Sequence, residues 1–307
     1  MEVFVTVLLS SGLRSSITLL LAALGETYNE KAGLLNLGIE GMILNGAFGG
    51  FYVAFNTGSV FLGFVAGLVV GIISGLIFGY LAITLKLNQV VVGIGFTIFA
   101  TGITSFLFRY FYGRRFPTLD LGNKTLEIPL LSKIPVLGPM LFDQHLVVYL
   151  ALLMVPVFHL VMTRTSFGLN VKAVGESPVA ADASGVNVVR IRYAVSAIAG
   201  ATAGLGGAFL SIGDLSFFLP GMTQGIGFIA IAIAMLGRWA PYRVFIGAFL
   251  FGLVQSLDAG LQTQGIPVRP EFIHMLPYIG VIVALVFLAR NARLPAALAL
   301  PYERGRQ

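Results

Sequence analysis

The chain has 307 residues, of which 57% are apolar and only 10% charged, with a formal net charge of +6 and no cysteine. A soluble domain carries roughly 25% charged residues, and a soluble chain this apolar would expose large greasy patches and aggregate, so a soluble enzyme, a disordered chain and a nucleic-acid-binding domain are excluded. A mean hydropathy of +0.92 agrees, the basic surplus has its simplest cause in the positive-inside rule, and the lack of cysteine removes disulfides, thiolate metal sites and thiol catalysis.

A spanning helix needs about 20 mostly apolar residues. That ruler predicts nine spans in one membrane domain over 1–307, near 7–24, 34–55, 60–85, 89–111, 145–163, 192–212, 225–237, 242–260 and 274–289. The second and seventh are the weakest, being Gly-rich with polar beginnings. The first apolar stretch, from Val3, holds Arg14 near its middle and shows no small-residue cleavage site, and is expected to be a retained span rather than a signal peptide. Next, Leu34 to Met42 embeds Asn36 and Glu40 four residues apart, on one face if the segment is helical. Intramembrane polar groups are costly and mark functional sites, which makes both substrate-path candidates. The alternative is that Glu40 pairs with a partner such as Arg14 and only fixes packing.

The third span carries the clearest period: Gly63, Gly67, Gly71, Gly75 and Gly79 recur every four residues. Lipid gives helices no hydrophobic drive to associate, so a smooth stripe of this kind serves close backbone approach. Asn88-Gln89 opens the fourth span, as a helix cap or as an amide pair on the path. Thr97, Thr101 and Thr104 follow as a mildly polar stripe, suited to interhelical hydrogen bonds or to solute. An external loop is expected over about 113–143 and a cytoplasmic loop over about 164–191. Within the latter, Ser177-Pro178 is a good helix start, Val179 to Ser184 is predicted as a short helix, and Gly185 ends it. This reads either as a docking knob for another protein or as a solvated connector. The sixth span repeats the small-residue idea with Ala197, Ala201 and Leu205 and with Gly200, Gly204 and Ala208.

A second polar cluster runs from Asp214 to Gln224, broken by Pro220-Gly221. Its aromatic neighbours Phe217, Phe218 and Phe228 are either stacking groups for a flat ligand or interfacial anchors. A Gly-Met step stands at Gly41-Met42 and again at Gly221-Met222, each before a weak span. Paired interrupted segments of this kind suggest an inverted repeat around a transporter binding site. Asp258, in the eighth span, is the other acidic residue placed well inside a span. The fold expected is all-α, a polytopic integral membrane protein of about 8–10 transmembrane helices.

Orientation follows from Lys and Arg. Lys31, Lys86, Arg164, Lys172, Arg190, Arg192, Arg238, Arg243, Arg290, Arg293, Arg304 and Arg306 fall on one side, and Arg109, Arg114, Arg115, Lys124, Lys133 and Arg269 on the other. The first side is expected to be cytoplasmic, and nine spans then put the N-terminus outside. No Walker-type phosphate loop, H-E-x-x-H or G-x-S-x-G is present. His145, His159 and His274 share no metal-ligand spacing. No catalytic residue, metal or bound cofactor is expected.

Several stretches resemble one family. Leu24-Gly25-Glu26-Thr27, Glu30-Lys31-Ala32-Gly33 and Leu35-Asn36-Leu37-Gly38-Ile39-Glu40-Gly41-Met42 resemble the opening signature of ABC-importer permeases of the branched-chain amino acid and simple-sugar superfamily. They are most similar to nucleoside-type permeases that work with a lipoprotein of the basic-membrane-protein class. Asn88-Gln89-Val90-Val91, the run Ala173 to Pro178 with Ala180-Ala181-Asp182 and Gly185, Gly227 to Ala232, and Gly237-Arg238-Trp239 continue the likeness, which extends from about residue 20 to Pro301-Tyr302.

The resemblance implies a subunit of the bacterial inner membrane, with a second and different permease chain, ATPase subunits that carry ATP-Mg, and an extracytoplasmic substrate-binding lipoprotein. It implies that Gly175, Glu176, Ser177, Pro178, Ala180, Ala181, Asp182 and Gly185 contact the ATPase. It does not assign the substrate path, for which intramembrane polarity nominates Asn36, Glu40, Asn88, Gln89, Thr97, Asp214, Gln224 and Phe228. A path with so little charge suits an uncharged solute, and the resemblance implies nucleosides first, riboflavin or a simple sugar next. An ion-coupled secondary transporter is the rival reading and would lean on Glu40 and Asp258.

Overall fold

The computed structural model describes residues 2–119, 126–127, 132, 134, 136–257, 261, 275–276, 279–280, 283 and 294–303. Asp258, His274, most of the ninth predicted span and the cations Lys124, Lys133, Arg269, Arg290, Arg293, Arg304 and Arg306 lie outside the described residues. Among the described residues the chain is all-α apart from a two-stranded ladder, β1 (Leu126–Glu127) with β2 (Asp143–Gln144), at the predicted external loop, and an isolated bridge between Thr118 and Phe217. The helices are α1 (Glu2–Lys31), α2 (Ile39–Thr57), α3 (Val60–Gly79), α4 (Gln89–Tyr112), α5 (Leu137–Leu141), α6 (Leu146–Arg164), α7 (Ser166–Glu176), α8 (Pro178–Ala183), α9 (Val188–Ala208), α10 (Ile226–Leu236) and α11 (Pro241–Gln255). α3 and α9 each run on into a π-helical turn, Tyr80–Thr84 and Phe209–Asp214. Among the described residues, α1, α3, α4, α6 and α9 are long and apolar enough to cross a membrane, counting the π turns, and α10 and α11 are shorter apolar helices. The protein is a multi-pass membrane protein.

The glycine stripe of α3 lies on α9, antiparallel, with small residues on both sides. A Cβ added to Gly63 would stand 2.7 Å from Ile212 Cδ1, to Gly67 2.5 Å from Ala208 Cβ, to Gly71 2.8 Å from Gly204 Cα, to Gly75 3.1 Å from Gly200 Cα, and to Gly79 3.3 Å from the Ser196 hydroxyl. The two four-residue repeats therefore interlock in one register, and the Ser196 hydroxyl donates to the Gly75 carbonyl at 2.7 Å. α2 runs alongside the same seam: an added Cβ on Gly50 would meet Ala208 Cβ at 2.8 Å, and Ser211 donates to the Ala47 carbonyl. Close approach of three backbones replaces the hydrophobic drive that lipid does not provide.

Two boundaries differ from expectation, for one reason. The first span is not 7–24, because α1 continues to Lys31 with Glu26, Thr27, Asn29 and Glu30 all fully buried. The second span does not start at 34, because residues 32–38 are not helical and α2 begins at Ile39. The polarity that would have ended α1 in lipid is satisfied inside the protein, Glu26 by Asn36 N–H of the neighbouring unwound segment and Glu30 by the Trp239 indole. α7 is a further helix in a region expected to be a loop.

The two ends of the bundle sort the charges. At one end Lys31 lies 4.8 Å from the centre of the Trp239 ring, Lys86 pairs with Glu303, and Arg192 donates to the Ala32 and Leu300 carbonyls. At the other end Ser10 donates to Pro139, Leu119 N–H donates to Ser216, and Phe48, Phe51, Phe108 and Phe218 form an aromatic cluster. The start of α1 thus shares an end with the loop 113–143.

Candidate functional site

The unwound segment 32–38 is the centre of the site. Non-helical backbone at membrane depth survives only where protein groups satisfy it. Gln89 Oε1 accepts from Leu35 N–H at 2.7 Å, Glu26 Oε1 from Asn36 N–H at 3.1 Å, and Asn36 Oδ1 from Gly38 N–H at 3.0 Å. Thr97 Oγ1 donates to the Leu37 carbonyl at 3.2 Å. Asn29 Nδ2 donates to the other Glu26 oxygen. Asn36, Gln89 and Thr97 are therefore brought together around one segment. Glu26 joins them and was missed in the sequence, where the first span stopped at residue 24. The signal was present: Glu26 and Glu30 stand four apart, on one helical face.

Asn36 and Glu40 do not share a helix face, since Asn36 precedes α2. Glu40 does not pair with Arg14 either. Its Oε1 accepts from Thr223 Oγ1 at 2.6 Å and Gly225 N–H at 2.8 Å, and its Oε2 from Gly227 N–H at 2.6 Å. These groups are the N-terminus of α10, whose orphan donors need acceptors and whose dipole favours an anion. Glu40 is itself in the first turn of α2. One carboxylate thus sits where two helices meet, N-terminus to N-terminus. Because Gly46 lies against Gly204, Ile39 is level with a point about 13 Å inside α9 at 1.5 Å per residue. Both short helices begin inside the bundle.

α10 is held at its far end as well, where the Trp239 indole N–H donates to Glu30 Oε2. Both flanks of α10 carry left-handed residues: Gln224 and Gly225 before it, Arg238 and Trp239 after it. Gln224 and Phe228 lie at the start of α10 and are exposed, beside Glu40. Asn88 is exposed and caps α4, accepting from Val90 and Val91 N–H. Thr101 and Thr104 bond within their own helix, to the Thr97 and Ala100 carbonyls. Phe218 is no stacking platform, since it is buried against Phe48, Phe51 and Phe108. Asp214 lies apart, at the opposite end of α9, where Arg14 is the charge that acts on it. His145, before α6, shares that neighbourhood; burial first and the Arg14 charge second hold its imidazole below the ordinary value. Among the described residues no group of acidic, His or Cys side chains has a metal-holding arrangement.

The coupling residues divide in two. Ser177 caps α8 through Ala180 N–H and Pro178 stands in its first turn, as expected. Glu176, Ser177, Val179, Ala180, Ala183, Ser184 and Gly185 are exposed, and Pro178 and Asp182 are half-buried. Ala181 is a correction: it is buried against Val174 and Val188, because a one-and-a-half-turn helix lying on α7 and α9 must turn one residue inward. Gly175 is another, buried with its backbone against the Lys31 carbonyl.

Comparison with known proteins fits this architecture. The family described as branched-chain amino acid transport system permease component matches residues 8–289. A Haloferax volcanii protein with a provisional name as a glucose ABC transporter permease is 38% identical, over 95% of this chain and 87% of its own. The guanosine ABC transporter permease of Bacillus subtilis is 31% identical over 94% of both chains, and the nucleoside ABC transporter permease of Lactococcus lactis 30% identical over 95% of both. No solved structure matches the chain. The chain belongs to the branched-chain amino acid transport system permease family and is a permease component of an ABC transporter, a transport subunit rather than an enzyme.

Proposed function

We propose that this permease imports a small neutral solute across the bacterial inner membrane, with nucleosides as the first expectation. ATP-Mg is held by partner ATPases, a second permease chain completes the core, and an extracytoplasmic lipoprotein delivers the solute. The observation that supports a solute path is the head-to-head meeting of α2 and α10 at Glu40, well inside the bundle. Interrupted helices whose ends meet at depth are where transporters bind and release. Every oxygen of Glu40 is occupied by fixed donors, which leaves a path of amide, hydroxyl and ring groups suited to an uncharged solute. Nucleosides rest on the two nucleoside-named relatives; a simple sugar is the second reading, favoured by the glucose-named one.

The test is uptake by proteoliposomes carrying this chain with its neighbouring ATPase, permease and binding-protein products. ATP-dependent accumulation of labelled guanosine or uridine, displaced by unlabelled nucleoside, is the expected result. Displacement by glucose alone moves the substrate to the sugar reading. Uptake that persists without ATP and collapses with an uncoupler overturns the importer.

The outward face of α8 is the proposed ATPase contact. Val179→Glu, on the exposed face, is expected to leave the chain folded while the ATPase no longer co-purifies. Ala181→Glu is expected to lower the yield of the chain itself, since it buries an unpaired charge. Normal ATPase recovery with Val179→Glu would sink the assignment.

A further inference from the structure

We propose that residues 294–303 form a strap that passes motion from the coupling helices to the unwound segment 32–38, with Ala299 and Tyr302 as positioning residues. This rests on the reading of α8 as the ATPase contact. The strap touches every part such a relay needs. Tyr302 packs on the cluster of Val174, Ala181 and Val188, under α8. Ala297 N–H donates to the Gly175 carbonyl of α7 at 2.9 Å, and Ala299 N–H donates to the Gly33 carbonyl at 3.1 Å. Buried Arg192 binds both sides of the junction, its Nη1 donating to the Leu300 carbonyl at 3.1 Å and its Nε to the Ala32 carbonyl at 3.3 Å. Glu303 pairs with Lys86 at 3.3 Å, just ahead of the α4 cap.

The receiving end is a segment held mainly by its surroundings. Residues 32–38 lean on Glu26, Gln89, Thr97 and the strap, and lead directly into Glu40 and the start of α10. A displacement at Gly33 is therefore delivered to the point where α2 and α10 meet, whereas a regular helix would resist it. Ala299 has φ +63°, a conformation that costs a non-glycine residue energy and persists where the surroundings impose it. The two glycines whose carbonyls accept from the strap leave no room for a side chain: a Cβ on Gly33 would stand 2.8 Å from the Ala297 carbonyl oxygen, and one on Gly175 would collide with the Lys31 carbonyl. The strap is a fitted part, tied at Ala297, Ala299, Leu300 and Glu303.

Ala299→Pro separates the strap from its target, because proline cannot adopt this φ and has no N–H for Gly33. Ala299→Gly keeps both the N–H and the backbone freedom. The transporter is assembled with each variant, and uptake and ATP hydrolysis are measured together. Ala299→Pro is expected to co-purify with its ATPase and hydrolyse ATP, with solute moved per ATP down about tenfold, the scale of a broken coupling contact; Ala299→Gly is expected to match the wild type. Normal coupling in Ala299→Pro, or an equal loss in Ala299→Gly, overturns the strap. If Ala299→Pro fails to assemble, Glu303→Lys decides, since that pair is partly exposed to solvent: coupling should fall about twofold or more and return with Lys86→Glu, and no fall or no return overturns the proposal. Wild-type uptake that needs no ATP would instead overturn the importer reading, whatever the variants do.

Discussion

Gly71→Leu is expected to abolish recovery of the folded chain and, with it, of any complex. Gly71 lies in the middle of the α3–α9 seam, where an added Cβ already collides with the Gly200 carbonyl and comes 2.8 Å from Gly204 Cα. The obstacle is backbone on both sides, which cannot step aside as a flexible side chain would. Even alanine forces the helices apart, at a cost of about 1–3 kcal/mol. Leucine forces a larger separation, and the effect spreads because Gly67 and Gly75 share the register and α2 leans on the same face of α9. The control is Gly95→Ala on α4, where an added Cβ meets nothing within 4 Å and helix propensity gains about 1 kcal/mol. Detergent-extracted yield and gel-filtration profile read the result. A Gly71→Leu chain recovered at wild-type yield would mean that α3 does not sit on α9.

That seam was half legible. The period of four in α3 and the matching Gly200, Gly204 and Ala208 stand in the sequence, and small residues at that spacing have one physical use in lipid. Their pairing did not, because nothing in a one-dimensional period says which stripe meets which, or in which direction. The path candidates show the opposite pattern. Asn36, Glu40, Gln89 and Thr97 stand out in the sequence as polar groups in apolar surroundings, but each has a backbone partner that sequence alone does not reveal. Hydropathy treats Glu26 and Glu30 as the end of a span. In the structure they continue it, because Asn36 N–H and the Trp239 indole reach them from residues 10 and 209 positions away. The burial of Ala181 is illegible for a similar reason: an alanine-rich helix looks like an exposed knob until the neighbouring α7 supplies the surface it packs on.

Glu40→Ala is expected to stop transport while leaving part of the chain folded. The substitution removes the acceptor of two backbone N–H groups and one hydroxyl around the start of α10. A buried donor left unpaired costs about 1–3 kcal/mol, and the loss of a negative charge at two helix N-termini adds to it. The damage should stay local, because the α3–α9 seam does not involve α10. α10 then keeps only its Glu30–Trp239 tie and its apolar packing, and its start frays at the point where the solute is proposed to pass. Glu40→Gln separates charge from shape. Its amide keeps one acceptor oxygen but turns an NH2 toward a donor, so intermediate uptake is expected with near-normal yield. Glu40→Asp keeps the charge on a shorter arm and should recover less than the wild type, since the Gly225 and Gly227 bonds are already at hydrogen-bond length. Three readouts separate the possibilities: chain yield, ATPase co-purification and solute uptake per ATP. Wild-type uptake in Glu40→Ala would show that α10 needs no anchor, and the head-to-head junction would then be packing without a part in transport.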